Sequence, residues 1–299
     1  MPRATAFLLL ALANLLWSGN WVAGRALRGA YEPFTLNFGR WTVATLALAP
    51  FALPHLRGQW PVIRRHFGFL LFLAFMGVAL FQGLVYLGLR TTTAVNGLLI
   101  NSSMPLFMIL CSLAIEREHA TPRQVAGMLV SLAGIVVIVS HGELQSLLHL
   151  QLHPGDGWIL LAMPVWGVYS VLLRRRPAAL NGLSFLFVLC VLGWLLLVPA
   201  IGLEALRSPP QPPTLAQAAA IAYMGVGASV VAFICWNQGV SVVGANAAGF
   251  TIHLLPAFGT VLAIALLGES FGAYHAVGIA TILAGVVLAT RQRLRISNR

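Results

Sequence analysis

Residues 118–134 read EHATPRQVAGMLVSLAG, and residues 269–285 read ESFGAYHAVGIATILAG. At an offset of 151 (269 − 118), the two stretches share their first glutamate, a central glycine and a final Leu-Ala-Gly. The same ungapped register joins further residues of identical type: Gly88 with Gly239, Ala94 with Ala245, and Pro105 with Pro256. An offset of 149 pairs Trp17 with Trp166 near the start of each half. Since glycine, proline and glutamate coincide along much of each half, the chain contains two copies of one unit.

The composition indicates a membrane protein. Apolar residues make up 59% of the chain, charged residues 8%, and the mean hydropathy is +0.87. Soluble domains have about 45–50% apolar and about 25% charged residues. This chain therefore has too few polar residues to cover a water-soluble surface. Its 299 residues allow ten helices of about 20 residues with short connections.

Clusters of Pro, Gly and Arg divide the chain into ten apolar stretches. We predict transmembrane helices at 4–24, 34–54, 67–89, 93–115, 122–140, 156–174, 182–203, 214–238, 246–267 and 273–291. Thr121 and Thr214 are predicted to cap two of them. The predicted organisation is a five-helix repeat over 1–142, an outer connecting loop over 143–155 and a second five-helix repeat over 156–299.

The arginines predict the orientation. All 18 basic residues are Arg, and basic residues in short loops concentrate on the cytoplasmic side of a membrane. With the N-terminus inside, 13 arginines lie on the inner side, 4 on the outer side and 1, Arg40, within the second helix. We expect a bacterial inner-membrane location with both termini in the cytoplasm. This placement explains the net charge of +11 without a nucleic-acid partner.

Five helices is an odd number, so the second repeat must enter the membrane from the opposite side. Inverted repeats of this kind let one central site open alternately to each face, which is typical of transporters. The sequence therefore favours transport of a small solute.

Several stretches carry a family resemblance: Ala13 to Trp21 (ANLLWSGNW), Arg40, Tyr86 to Leu89 (YLGL), the segments around Pro105 and Pro256, and the Glu-to-Gly stretches quoted above. With these residues the chain resembles the drug/metabolite transporter superfamily in its ten-helix, EamA-type branch. Within that branch it most resembles bacterial exporters of aromatic amino acids.

The resemblance implies a central cavity surrounded by helices one to four and six to nine, with helices five and ten packed behind. It implies an exporter of amino acids. Amides and hydroxyls interleaved with Trp and Tyr in the spans predict broad specificity, and inverted repeats without a deep Asp or Glu predict alternating access as a uniporter or with weak coupling. The expected partners are the solute and membrane lipid, and the expected state is a monomer or a weak homodimer. No cofactor or metal is expected.

Polar and aromatic side chains inside the predicted spans are the candidates for substrate contact. Asn14, Trp17, Trp21 and Gly24 are spaced for one helix face, and Asn20 lies beside it. The predicted substrate-binding residues are Trp17, Asn20, Trp21, Arg40, Gln82, Tyr86, Asn101, Trp166, Tyr169, Asn237 and His253. For any one of them, hydrogen bonding between helices is the alternative.

Arg40, His253 and the two paired prolines each admit two interpretations. Arg40 is costly within a span and either binds a substrate carboxylate or braces backbone carbonyls. His253 either couples protons or is a neutral hydrogen-bonding residue. Pro105 and Pro256 are predicted at mid-helix, as hinges or as static kinks. Glu118 and its counterpart Glu269 are interpreted as capping and loop-ordering residues.

Other classes of protein fit less well. A membrane-embedded enzyme would need paired carboxylates at depth, a HExxH motif or a P-loop, and the sequence contains none of these. A transporter of drug-like cations would be favoured by a carboxylate deep in a span, and the sequence places all its Asp and Glu residues in loops or at helix ends. Other small metabolites stay open as substrates.

Overall fold

The computed structural model describes residues 1–27, 29–92, 94–143, 145, 152–209, 211–267 and 272–290. Glu269, most of the predicted connecting loop and the arginines from 291 onward lie outside these described residues. Within the described ranges the chain is helical and contains no β-strand.

The helices follow one another along the chain with short connections. They are α1 (Arg3–Ala26), α2 (Pro33–Arg65), α3 (Phe67–Ala74), α4 (Phe81–Thr91), α5 (Ala94–Asn101), α6 (Met104–Glu116), α7 (Pro122–Val139), α8 (Pro154–Leu172), α9 (Gly182–Ala205), α10 (Leu215–Tyr223), α11 (Ala232–Val243), α12 (Ala245–Thr251), α13 (Leu254–Leu267) and α14 (Ala273–Thr290). A 3-10 turn over Leu173–Arg175 extends α8.

The helices form ten membrane crossings. Nine helical segments in the described ranges are long and apolar enough to cross a bilayer. The tenth crossing is α2, which has 33 residues but carries Asn37, Arg40 and three internal prolines. The prediction of an all-α integral membrane protein is confirmed.

α2 is longer than the predicted span of 34–54, because it continues to Arg65. At 1.5 Å per residue its 33 residues reach about 50 Å, well beyond the ~30 Å hydrocarbon core. The prediction ended this helix at Pro54. Pro54 and Pro61 are exposed on the last third of the helix. Water there can bond the carbonyls that a proline leaves without a donor, so the helix continues past both residues.

Thr121 and Thr214 cap α7 and α10 as predicted. Each hydroxyl accepts a hydrogen bond from the backbone N–H three residues later. In turn, the threonine backbone N–H donates a hydrogen bond to Oε1 of Gln124 or Gln217. The two bonds complete a capping box at both helices.

The third crossing of each half contains a π-helical segment that the sequence did not reveal. The first π segment, Phe75–Leu80, joins α3 to α4. The second π segment, Met224–Val231, joins α10 to α11. They begin at equivalent positions, at an offset of 149 (224 − 75). Single π-helical turns are rare and are frequent at functional sites.

The fourth crossing of each half is broken, again at equivalent positions. α5 ends at Asn101 and α6 begins at Met104, while α12 ends at Thr251 and α13 begins at Leu254. The offset is 150 (251 − 101) at both edges of the break. The prediction that 93–115 and 246–267 each form one continuous helix is therefore wrong, because two residues interrupt each of them.

The paired prolines follow these breaks. Pro105 and Pro256 lie in the first turns of α6 and α13, and not at mid-helix as predicted. The backbone N–H groups in the first turn of a helix have no earlier carbonyl of that helix to bond. A proline, which lacks this N–H, is therefore tolerated there without the loss of a helical hydrogen bond. Breaking the helix just before the proline removes the conflict that a mid-helix position would create. The role of the two prolines as hinges stays a prediction.

The two halves pack about a pseudo-two-fold axis. α1 lies against α11 and α13, and in the equivalent arrangement α8 lies against α4 and α6. α2 packs against its counterpart α9, and α7 against its counterpart α14. Arg3, at the start of α1, lines the same groove as Arg174, just beyond the end of α8. These equivalent helices run in opposite directions, so the repeats are inverted.

Glycines bring α7 and α14, the fifth and tenth crossings, into close contact. A Cβ atom on Gly127 would lie 2.5 Å from the backbone nitrogen of Ala289 and 2.6 Å from the carbonyl oxygen of Gly285. Such contacts leave no space for a side chain. Small residues at these positions let the two backbones meet, as is common between membrane helices.

We therefore expect Gly127→Ala to destabilise the protein. The new methyl group would press on backbone atoms of α14, and overpacking of this kind costs about 1–3 kcal/mol. The midpoint of thermal unfolding in detergent should fall. Gly202→Ala, on α9, is the matched control because a Cβ there meets nothing within 4 Å. A Gly127→Ala protein as stable as this control would contradict the close crossing.

Candidate functional site

A small cavity lies between the halves near the helix breaks. Its volume is about 40 Å³. Six predicted substrate-binding residues line it: Trp17, Asn20, Trp21, Gln82, Asn101 and Trp166. The other lining residues are apolar: Phe81, Val85, Met104, Phe233, Ile252 and Leu255. These twelve lining side chains carry no formal charge.

The local structure explains how these side chains meet. Trp17 and Trp21 share one face of α1 at a spacing of four residues. Asn101 is the last residue of α5, and the break that follows turns the chain at the cavity. Gln82 lies just after the first π segment, on α4. The broken and π-helical segments thus border the site, in accord with the irregular backbone that lines cavities in membrane proteins.

Aromatic rings form much of the cavity wall. The ring centroids of Trp17 lie 5.2 Å from those of both Trp166 and Trp236. Phe81 contacts Trp166 at a centroid distance of 4.7 Å. Phe233 meets Trp17 and Trp166 edge to face. These distances suit aromatic pairing, so the rings form one continuous surface.

Two amides of the lining have polar atoms without a partner among the described residues. Asn20 is 4% exposed, and its Oδ1 accepts no hydrogen bond there. Asn101 is 3% exposed, and its Nδ2 donates none. Buried polar atoms are nearly always bonded, and an unbonded one costs about 1–3 kcal/mol. The cavity therefore offers one acceptor and one donor to a bound molecule.

Arg40 lies behind this cavity and does not line it. Its Nε donates to the Ser229 hydroxyl, and its Nη2 donates to the carbonyl oxygen of Ala228 at 3.2 Å. The indole Nε1 of Trp17 donates to the same carbonyl at 3.0 Å. Ala228 belongs to the second π segment, so α1 and α2 both bond to it. For Nε and Nη2, these contacts favour the interpretation that Arg40 braces the neighbouring helix over the interpretation that it binds a substrate carboxylate.

Tyr169 and Asn237, also predicted to bind substrate, bond to each other. The Tyr169 hydroxyl donates to Oδ1 of Asn237 at 3.1 Å. Trp236 beside them donates its Nε1 to the Ser170 hydroxyl at 3.3 Å. Neither Tyr169 nor Asn237 is among the lining residues of the cavity. Their contact with substrate stays a prediction.

His253 joins the two helix breaks. Its Nε2 lies 2.9 Å from the carbonyl oxygen of Ser102, and its Nδ1 contacts the Ser131 hydroxyl. The side chain is fully buried. It does not line the cavity, and its two ring nitrogens are both engaged. The geometry supports the neutral hydrogen-bonding interpretation over proton coupling.

Other polar contacts hold α1 to the second broken crossing. Asn14 donates to the Thr251 hydroxyl at 3.1 Å, and Ser18 donates to the carbonyl oxygen of Leu255 at 2.9 Å. Asn14 was singled out from the sequence as part of the polar face of helix one. Ser18 was missed, although its spacing of four from Asn14 was a usable signal.

The two membrane faces differ in charge. One face is rich in arginine, and we call it the arginine-rich face. Its grooves are lined by Arg3, Arg117, Arg123, Arg174 and Arg175. Arg174 pairs with Glu116 at 2.8 Å and with Glu118 at 2.7 Å. Glu118 thus orders a loop, as predicted, but Thr121 and not Glu118 caps α7. Glu269, its counterpart, lies outside the described residues.

The opposite face contains a vestibule of about 610 Å³ between the end of α1, the start of α2 and the end of α4. Glu32 and Arg90 form an ion pair at 2.6 Å beside it. Tyr86, predicted as a substrate-binding residue, lines this vestibule and not the central cavity. Its hydroxyl also lies 3.4 Å from Nη1 of Arg40.

Asp156 is a buried carboxylate that the sequence placed only at a helix end. It accepts hydrogen bonds from the Thr92 hydroxyl, from Nδ2 of Asn96 at 2.8 Å and from the His153 backbone N–H at 2.8 Å. These bonds join the start of α8 to the start of α5. Asp156 is therefore a structural link between the halves.

These features define a class of protein. Inverted repeats, broken helices and a polar, aromatic cavity between the halves are the architecture of a solute transporter. The family model for the EamA-like transporter family matches residues 4–140 and 153–291. The chain belongs to this family, and it is a multi-pass membrane transporter and not an enzyme.

Curated relatives match along nearly the whole chain. An uncharacterized transporter of Archaeoglobus fulgidus is 28% identical over 96% of this chain and 97% of the relative. A probable terminal-alkyne amino-acid exporter of Streptantibioticus cattleyicolor is 27% identical over 98% and 96% of the two chains. The aromatic amino acid exporter YddG of Ancylobacter novellus is 26% identical over 97% and 98%. A solved crystal structure superposes with a TM-score of 0.78, at 24% identity and over 97% of both chains, which establishes likeness of fold alone.

The role of His253 as a link between the breaks leads to a stability prediction. His253→Ala removes two hydrogen bonds and leaves a void, so the free energy of unfolding should fall by about 2–5 kcal/mol. His55→Ala is the control, since His55 is exposed and its one bond within the described part of the chain is to Phe51 of its own helix. Thermal unfolding in detergent measures both. Equal stability of the two variants would show that His253 does not hold the breaks together.

Proposed function

We propose that this transporter exports amino acids of zero net charge, with a preference for apolar and aromatic side chains. The observation that supports this most is the cavity lining. It combines aromatic rings with an unpaired amide acceptor on Asn20 and an unpaired amide donor on Asn101, and its described residues carry no charge.

The chemistry of a zwitterion fits this lining. An ammonium group needs acceptors and a carboxylate needs donors, and the two amides supply one of each. A ligand with a net charge would enter a buried site without a counter-charge, at a cost of several kcal/mol. A zwitterion brings both charges together, so uncharged amides suffice. The aromatic rings would then pack against the side chain.

The cavity must widen to hold such a substrate. Its volume of about 40 Å³ is close to the space of a single water molecule, ~30 Å³. The breaks and π segments beside it lack a full set of regular helical bonds, and these are the places where a helix bends most readily. We infer a closed state between two open ones, as alternating access requires.

We assign the arginine-rich face to the cytoplasm of a bacterial inner membrane, because basic loop residues stay on that side. Two relatives named as amino-acid exporters support the substrate class and the direction. Among the described residues no carboxylate lines the cavity, so the transport proposed is uniport, driven by the substrate gradient.

Counterflow into liposomes tests the proposal. Labelled phenylalanine should enter liposomes preloaded with unlabelled phenylalanine, and other neutral amino acids should compete. Phenylalaninamide, a cation without a carboxylate, should compete poorly. Asn20→Leu and Asn101→Leu should each raise the half-saturation concentration about tenfold, because each removes a hydrogen bond to a charged group, worth ~1.5 kcal/mol.

Asn246→Leu is the matched control for the two amides. Asn246 is also buried with an Oδ1 that has no partner among the described residues, but it lies on α12 and outside the cavity lining. Its substitution should leave the half-saturation concentration unchanged. Absence of exchange by folded wild-type protein would overturn the amino-acid assignment. Strong competition by phenylalaninamide would favour a transporter of drug-like cations.

A further inference from the structure

Arg40 is a buried charge that has no counter-ion among the residues the structure describes. Its side chain is 1% exposed, although it lies within a membrane crossing. Its hydrogen-bond partners are all neutral: the Ser229 hydroxyl, the Ala228 carbonyl and the Tyr86 hydroxyl. The ring of Trp41 lies 5.3 Å from its Cζ. Among the described residues no carboxylate forms an ion pair with it.

A buried guanidinium of this kind has spare capacity for an anion. It has five N–H donors, and its three hydrogen bonds leave part of that set unused. Burying a charge costs free energy unless an opposite charge and further hydrogen bonds offset it. The present partners supply hydrogen bonds but no charge. A carboxylate, which binds a guanidinium in a two-pronged geometry, supplies both.

Tyr86 separates Arg40 from the vestibule on the opposite face. Its side chain is 5% exposed, yet it lines the 610 Å³ vestibule. Its hydroxyl meets Nη1 of Arg40 at 3.4 Å, a longer distance than the usual hydrogen bond of about 2.9–3.0 Å. Gly24, which has no side chain and also lines the vestibule, lies next to the ring. The ring packs with Leu27 and Met224, and the vestibule beside it gives it room to turn.

We infer that Arg40 and the vestibule form a carboxylate-binding subsite, which Tyr86 covers in this structure. When the Tyr86 ring turns away, the carboxylate oxygens of a ligand in the vestibule accept hydrogen bonds from the Nη1 and Nη2 groups of Arg40. The vestibule is large enough for an aromatic amino acid, since ligand sites are ~300–1,000 Å³. The identity of this ligand as the exported amino acid rests on the proposed function.

The subsite gives the export path an order. The central cavity binds both ends of a zwitterion with neutral amides, and Arg40 lies between it and the vestibule. Trp17, in the cavity wall, and Arg40 bond to the same carbonyl, at Ala228. A carboxylate leaving the cavity toward the opposite face therefore meets Arg40 next. The subsite recognises only the carboxylate, so a ligand bound there needs no ammonium group.

Binding to the purified protein tests the subsite without any transport. The probe is 3-phenylpropanoate, with 3-phenylpropanamide as the uncharged ligand of the same shape. Isothermal titration in detergent should give a dissociation constant at least about tenfold lower for the carboxylate than for the amide. Arg40→Lys should weaken carboxylate binding by about tenfold or more, because a single ammonium cannot form the two-pronged contact.

Two further variants separate the subsite from general effects. Gly24→Leu places a side chain against the Tyr86 ring, so it should block binding while Arg40 stays intact; this variant tests the inference even where Arg40→Lys fails to fold. Arg207→Gln removes a charge from the vestibule wall and should change the dissociation constant little.

The inference is overturned when folded wild-type protein binds carboxylate and amide equally. It is also overturned when carboxylate binding survives Arg40→Lys, or when only Arg207→Gln removes it. Amino-acid counterflow is a separate measurement. Binding through Arg40 in a protein that exchanges no amino acid would support the subsite and point to another carboxylate as the exported solute.

Discussion

A backbone carbonyl or N–H that loses its helical partner inside a membrane must find another partner within the protein, because lipid offers none. This constraint explains the organisation of the whole core. The chain interrupts four crossings, with two π segments and two breaks, and each interruption receives side-chain bonds from a different helix. Asn37 donates to the carbonyl of Val78 in the first π segment. Trp17 and Arg40 donate to the carbonyl of Ala228 in the second one.

The breaks follow the same rule, and their bonds cross between the halves. His253, from the second broken crossing, contacts the Ser102 carbonyl of the first. Ser18, from the first half, donates to the Leu255 carbonyl of the second. These polar bonds thus connect the two halves at the breaks, beside the apolar and aromatic contacts between them.

The same arrangement separates charge from the central cavity. The amides of Asn20 and Asn101 stay unpaired at the cavity, while the guanidinium of Arg40 is turned toward the second π segment and Tyr86. In the function that we propose, the uncharged site suits a zwitterion, and the positive charge beside the vestibule suits its carboxylate.

The sequence by itself determined the membrane class, the ten crossings, the duplication and the transporter family, because hydropathy and register are properties of the chain alone. It also identified Trp17, Asn20 and Asn101, since polar residues beside aromatic ones are conspicuous in an apolar span. Only the tertiary structure decided that Arg40 and Tyr86 lie behind a vestibule, that His253 is a link between breaks, and that Pro105 follows a break. A π segment or a break has no local sequence signature of its own. It exists because a partner helix supplies the hydrogen bonds that the interrupted backbone has lost, and that partner is distant in sequence.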